Sequence, residues 1–213
     1  MRVGVIACEI IKQELERVLI DLNWKPEKIL YLDSALHNTP DKMKTELISR
    51  IEQMASSVDA VFLGYGICQS LKGIEKTVSI PLIHPEADDC ICMMLGPDRL
   101  SKEIEKQTGT WFMTPGWAEI GLEMVIKELK LDRVRKYGKD PLEMAKLLFK
   151  HYRRTLIIHT GVGNREEIME KAKEFSRHFD LDVEETDTDM ALFRSYVKQA
   201  RDLSRMKEKD VKK

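Results

Sequence analysis

The sequence has no surplus of charge, no long apolar run and no C-x-x-C pair of cysteines. Its 35 Lys and Arg balance 36 Asp and Glu, leaving a net of -1. Without a global field of one sign, neither nucleic acid nor an anionic membrane surface is an expected partner. The apolar run at 1–11 is too short to span a bilayer. No basic segment precedes it and no small-residue cleavage site follows it, so the expected location is cytoplasmic. The four cysteines include no C-x-x-C pair, which excludes a redox disulfide of that type. In a reducing compartment they are expected as thiols, either buried small residues or metal ligands and nucleophiles. Other signatures are missing too. No Ser sits in a G-x-S-x-G turn, no H-E-x-x-H helix occurs, and Gly64-Tyr65-Gly66 lacks the third glycine of a dinucleotide fingerprint.

What is present is an alternation of short apolar runs with longer helical patterns. Strands are expected at 2–7, 28–32, 60–65, 79–84, 110–114 and 155–159, with a weaker one at 181–185. Helices are expected at 10–22, 40–56, 116–151, from 164 onward, and at 188–206. Thr39 and Pro40 suit a helix start, and Asn164 with Glu167 reads as a capping box. Nearly continuous apolar strands are buried on both faces, as a parallel sheet requires. The expected fold is α/β, a single doubly wound, mainly parallel sheet flanked by helices. With no repeat and no low-complexity linker, residues 1–206 read as one domain and 207–213 as a charged, solvated tail. Gly138–Asp140 with Pro141 reads as a helix–helix turn.

In an open parallel sheet, ligands bind at the carboxyl ends of the strands. Reactive residues collect at those positions here. Cys8 and Glu9 follow the first strand, and Gly64, Gly66 and Cys68 follow the third. His84, Asp88, Asp89, Cys90 and Cys92 follow the fourth. Thr114, Gly116 and Trp117 follow the fifth, and His159, Gly161 and Gly163 the sixth. Cys8, Cys68 and Cys90 come from three loops of one edge and fit either zinc or three irons of an iron–sulfur cluster. The fourth position falls to His84, Glu9, Asp89, a water or a substrate. Cys92 opens an apolar run and reads as core. Trp117 reads either as the wall of a pocket or as a packed helix start. Gly161 to Asn164 reads as a plain strand-to-helix turn, with an anion on its free backbone N–H groups as the alternative. His159 reads as a hydrogen-bonded core residue, with reach to the same edge as the alternative. His37, His151 and His178 lie in polar surroundings.

The segments Val5–Ile10, Gly64–Cys68, Asp89-Cys90 with Leu95-Gly96, and Thr114–Trp117 resemble a prokaryotic family of unknown function, the one numbered 1638. The resemblance covers roughly the first 120 residues. It implies Cys8, Cys68 and Cys90 as the family's cysteine positions. Where the family tends to a Cys-Gly pair this chain has Cys68-Gln69, and where it tends to His before Asp-Cys it has Asp88-Asp89-Cys90. His84 or Asp88 would then stand in as the fourth ligand. The resemblance implies an archaeal or anaerobic setting and a link to methylamine or corrinoid methyl transfer. The expectation is a metal-dependent protein of anaerobic one-carbon metabolism, with zinc or an iron–sulfur cluster as cofactor. Its partner would be a corrinoid protein or a methyltransferase. The alternatives are a non-catalytic metal-binding accessory, or a small-molecule-binding domain whose cysteines are structural.

Overall fold

The computed structural model describes residues 1–66 and 71–206. The expected charged tail at 207–213 lies outside them. The described strands are all parallel and flanked by helices, an α/β fold. They form two sheets, where the sequence reading placed them in one. Each sheet belongs to its own compact unit: unit 1 comprises 1–97 and 190–213, and unit 2 comprises 98–189. The physical reason is simple. A continuous buried run shows that a strand is covered on both faces, but not which strand lies beside it.

Unit 1 has the order β2-β1-β3-β4, with β1 Val3–Cys8, β2 Lys28–Leu32, β3 Ala60–Gly64 and β4 Leu82–Ile83. β1 is central, with Cys8 level with Leu32 of β2 and Ala7 level with Gly64 of β3. On one face Ile6, Val61 and Leu63 pack with Met43, Leu47, Ile51 and Met54 of α2, Pro40–Ala55. Phe62 belongs to the other face, its ring 6.5 Å from Phe193 of α8, Ala191–Arg205. The remaining helices of the unit are α1, Lys12–Asp21, and α3, Cys90–Leu95. The strand expected at 79–84 shrinks to two residues. Ser79 is drawn away by the Glu52 carboxylate, at 2.7 Å from both its N–H and its hydroxyl, and Pro81 has no N–H to offer a ladder.

Unit 2 has the order β5-β6-β7, with β5 Thr110–Met113, β6 Arg154–His159 and β7 Asp182–Asp187. It opens with α4, Pro97–Lys106. The single long helix expected at 116–151 is three pieces: α5 Pro115–Glu128, a 3-10 segment Leu131–Tyr137, and α6 Pro141–Phe149. Gly121 breaks the helical path within α5 at φ 70°, ψ 177°. Lys130 and Gly138 are both left-handed, and Asp140 caps the restart through the Leu142 N–H at 2.9 Å. The turn at 138–141 is where the sequence placed it. α7, Arg165–Arg177, is capped by the Asn164 side chain on the N–H groups of Glu166 and Glu167. An aromatic core holds this unit: Trp111 stacks on Phe175 at 5.5 Å, and Phe149 on Phe179 at 4.2 Å.

Several carboxylates gain hydrogen-bonding and ion-pair partners on folding. Arg2 holds Asp59 below the usual carboxylate range, Lys106 and Arg154 do so for Glu184, and His159 and Arg165 for Glu185. A depressed folded value stabilises above the unfolded pKa and is lost as pH falls through the folded one. Urea unfolding from pH 7 to pH 3 should therefore show stability declining below about pH 5. Glu184→Gln should flatten that decline. A pH-independent midpoint over this range would contradict the assignment.

Candidate functional site

In unit 1 the connection from β1 to β2 goes one way along the sheet, and that from β2 to β3 returns across β1. The direction of winding therefore reverses between β1 and β3, and doubly wound sheets bind ligands in the crevice outside the strand ends at such a point. Cys8 ends β1 at this crevice, and Gly64-Tyr65-Gly66 leaves β3 on its other side. Cys8 is half-buried and packs against the core cluster that contains Tyr65.

Two close backbone approaches shape the crevice. A side chain on Gly64 would stand 2.7 Å from the Ala7 Cβ, so β3 can lie flush with β1 at its end only as glycine. A side chain on Gly66 would fall on the Asp89 backbone, 2.6 Å from its nitrogen. The chain leaving β3 is thus pressed against the residue before Cys90. Asp89 caps α3, accepting from the Cys92 N–H at 2.7 Å, and Cys90 is its first residue. Gly66 in turn lies two residues before Cys68 in the sequence.

The electrostatics tie these groups together. The Cys90 thiol is pushed up by burial first, then by Asp89, Cys8 and Glu14. Glu14, on α1, is a carboxylate only 1% exposed. Tyr65 is pushed up by burial, then by Cys8 and Asp33, and its hydroxyl has no hydrogen-bond partner among the described residues. Two thiols, a phenol and acidic side chains therefore share a partly buried crevice that disfavours further negative charge.

The expected site residues divide as follows. Cys8 and Cys90 are brought to one end of one sheet, from positions 82 residues apart in the chain. Cys68 lies outside the described residues. Cys92 is buried in α3, as a core residue would be. Gly64 and Gly66 are the close-approach points. Glu9 is exposed in the 3-10 turn after β1, and Asp88 is exposed before the cap. His84 is half-buried, with Nδ1 3.5 Å from the Pro85 carbonyl oxygen. Among the described residues no three His, Cys, Asp or Glu side chains gather closely enough to hold a metal ion, so His84 is not grouped with Cys8 and Cys90. Glu14 and Tyr65 were not singled out from sequence. Tyr65 stood between two glycines at a strand end, which is a signal; a lone glutamate in an amphipathic helix carries none.

Thr114, Gly116 and Trp117 belong to unit 2. Thr114 is buried at the end of β5, and its hydroxyl has no partner among the described residues. Trp117 lines a cleft of about 200 Å³ between α5 and α7, with Trp111, Leu122, Lys171 and Phe175. His159 is buried at the end of β6, with Nε2 2.9 Å from Glu185, the hydrogen-bonded role the sequence suggested.

No helix among the described residues is long and apolar enough to cross a membrane. A comparison with curated proteins gave no match. A family model does match, over residues 31–197. That span takes in Cys68, Cys90 and Trp117 and begins after Cys8. It covers well over half of the chain, which therefore belongs to the family described as protein of unknown function (DUF1638).

Proposed function

We propose that the crevice between the ends of β1 and β3 is a thiolate metal site, formed by Cys8 and Cys90 and completed by Cys68. The observation that carries this reading is the convergence of Cys8 and Cys90 at the reversal point of the sheet. Beside it, the Gly66–Asp89 apposition presses the chain leaving β3 against the residue before Cys90, and Cys68 follows Gly66 by two residues in the sequence. The chemistry of the donor set fits a soft or borderline cation, zinc or the irons of a cluster. Burial first, then Asp89, Cys8 and lastly buried Glu14 raise the energy of a thiolate at Cys90, and a cation is what would offset that. A bound metal would hold the thiols as thiolates and lower the pKa of a ligand in an open position.

His84 and Asp88 are candidates for the remaining position only if the site closes further around the metal. The resemblance of the cysteine segments suggests the setting, an anaerobic one-carbon or corrinoid methyl-transfer system. The chain would act there as the metal-dependent component, or as an accessory to a methyltransferase or corrinoid protein.

Metal analysis of anaerobically prepared full-length protein tests the reading. About one zinc per chain, or iron and sulfide with absorbance near 400 nm, is expected. Cys8→Ser, Cys68→Ser and Cys90→Ser should each lower the content, while Cys92→Ser should leave it unchanged. Metal-free protein whose stability is indifferent to all three substitutions would instead assign the cysteines to the packing of the domain.

A further inference from the structure

Unit 2 carries its charge in two separate blocks. Residues 127–153 hold nine Lys and Arg against four Asp and Glu, a net of +5. Residues 165–189 hold four against ten, a net of -6. The topology sends the basic block and part of the acidic one, the first turns of α7 and the end of β7, to different ends of the sheet, while Glu174, Asp180 and Asp182 of the second block lie toward the amino ends. α5 starts at the carboxyl end of β5 and runs back, so the 3-10 segment 131–137 and α6 lie toward the amino ends of the strands. The first turns of α7 and the last residues of β7 lie at the carboxyl ends.

Internal pairing leaves much of both blocks unused. In this unit Lys106, Lys146, Arg154 and Arg165 form ion pairs, and His159 hydrogen-bonds to Glu185. None of these pairs takes Arg133, Arg135, Lys136 or Lys139, and none takes Glu166, Glu167 or Glu170. All seven side chains are exposed. The basic block also carries large apolar groups in water: Tyr137 is 72% exposed, Leu147 60% and Leu148 51%.

We propose that this basic, apolar lobe docks on the acidic carboxyl end of unit 2 in a second copy of the chain. Both complementary surfaces are carried by the same unit, so every copy offers one of each. A pairing of lobe with lobe would set +5 against +5, so the lobe meets the acidic edge instead, in a head-to-tail ring or chain or twice over in an antiparallel two-fold pair. Apolar groups bordered by arginines and a tyrosine suit a protein surface. Nucleic acid is less suited, because Asp132, Asp140 and Glu143 interrupt the cations. A membrane surface is less suited as well, since Pro141, Ala145 and Phe149 of α6 are already buried within the unit.

Sedimentation velocity on the full chain provides the test. At low salt the weight-average mass should rise above the 24.7 kDa of one chain as concentration increases. It should return to that value in about 1 M salt, where the screening length is about 3 Å. A lobe variant, Arg133→Glu with Arg135→Glu and Lys139→Glu, should stay at the mass of one chain, and so should an edge variant, Glu166→Lys with Glu170→Lys. Mixing the two should restore association, because each then offers the charge the other lacks. Restoration also excludes misfolding as the cause of the losses. A wild-type chain that keeps the mass of one copy at every concentration in low salt would overturn the proposal. So would association that survives both reversals. Binding of poly(U) or of phosphatidylglycerol vesicles, lost in the lobe variant without any self-association, would overturn it and give the lobe to that polymer or surface.

Discussion

Arg154→Ala is expected to lower the stability of unit 2 by about 3 kcal/mol, within the range for emptying a large buried site. Arg154 is only 2% exposed, although it is the first residue of an apolar strand. Its guanidinium reaches three elements at once. Nε donates to the Thr110 hydroxyl of β5 at 2.9 Å, Nη1 to Glu184 of β7 at 2.7 Å, and Nη2 to the carboxylate and carbonyl of Glu103 on α4. Truncation removes the packing of the stem and leaves Thr110 and the Glu103 carbonyl without that donor. The carboxylates suffer less. Glu103 is 25% exposed and Glu184 40%, so water reaches both, and Glu184 keeps Lys106 at 2.6 Å. The loss should therefore be smaller than for stranding a fully buried charge. Arg154→Met keeps most of the stem and should recover part of the loss. Arg154→Lys keeps the charge but not the planar fork, and cannot serve all three elements. Denaturant unfolding of the three variants, with amide exchange followed in β5–β7, gives the ranking. A lysine variant as stable as wild type would show that the fork geometry contributes nothing.

The strands were the legible part of the fold because each is a short apolar run between polar turns. β2 at 28–32 coincides with its expected bounds, and the other long strands agree within about two residues at each end. β7 read weakly because its sequence, DVEETD, is mostly acidic; it lies at the edge of its sheet and needs little burial. α4 was missed for a related reason. Its only large apolar residues, Leu100 and Ile104, share one face but make too short a stripe to stand out, and neither is buried. The division into two sheets was not legible at all. The chain passes from one unit to the other near Pro97 and back near Met190. Gly96-Pro97-Asp98 and residues 186–189 are polar or turn-forming, but each is so short that it reads as an ordinary loop between elements.

The site was legible as a list but not as a geometry. Cysteines, glycines and acids at strand ends pointed to the carboxyl edge, and the structure puts Cys8 and Cys90 there. Sequence order alone could not separate the residues of unit 1 from Thr114, Gly116 and Trp117 of unit 2, because all of them follow strands. Nor could it find Glu14. A carboxylate is usually a solvated residue, and only the approach of α3 to α1 makes this one part of the crevice.

Gly66→Ala should be the most disruptive single change at that crevice, and it separates close approach from backbone strain. Gly66 is not in a left-handed conformation. What forbids a side chain there is the Asp89 backbone, which cannot swing aside as a side chain could. The added methyl must force the end of β3 away from the start of α3, at a cost of about 1–3 kcal/mol for overpacking. Gly73→Ala makes the opposite comparison. Its φ of 78° strains any alanine by about 1–2 kcal/mol, but nothing stands within 4 Å of the new methyl. Both variants should lose stability, yet only Gly66→Ala should change Cys90. Burial and Asp89 hold that thiol up, so iodoacetamide should alkylate it slowly at pH 8 in metal-free wild type. Opening the β3–α3 contact hydrates the thiol, and alkylation should quicken in Gly66→Ala alone. Equal, slow alkylation in both variants would mean that the Gly66–Asp89 contact does not set the environment of Cys90. The crevice would then lose the link through which the β3 loop and α3 act on the same thiol.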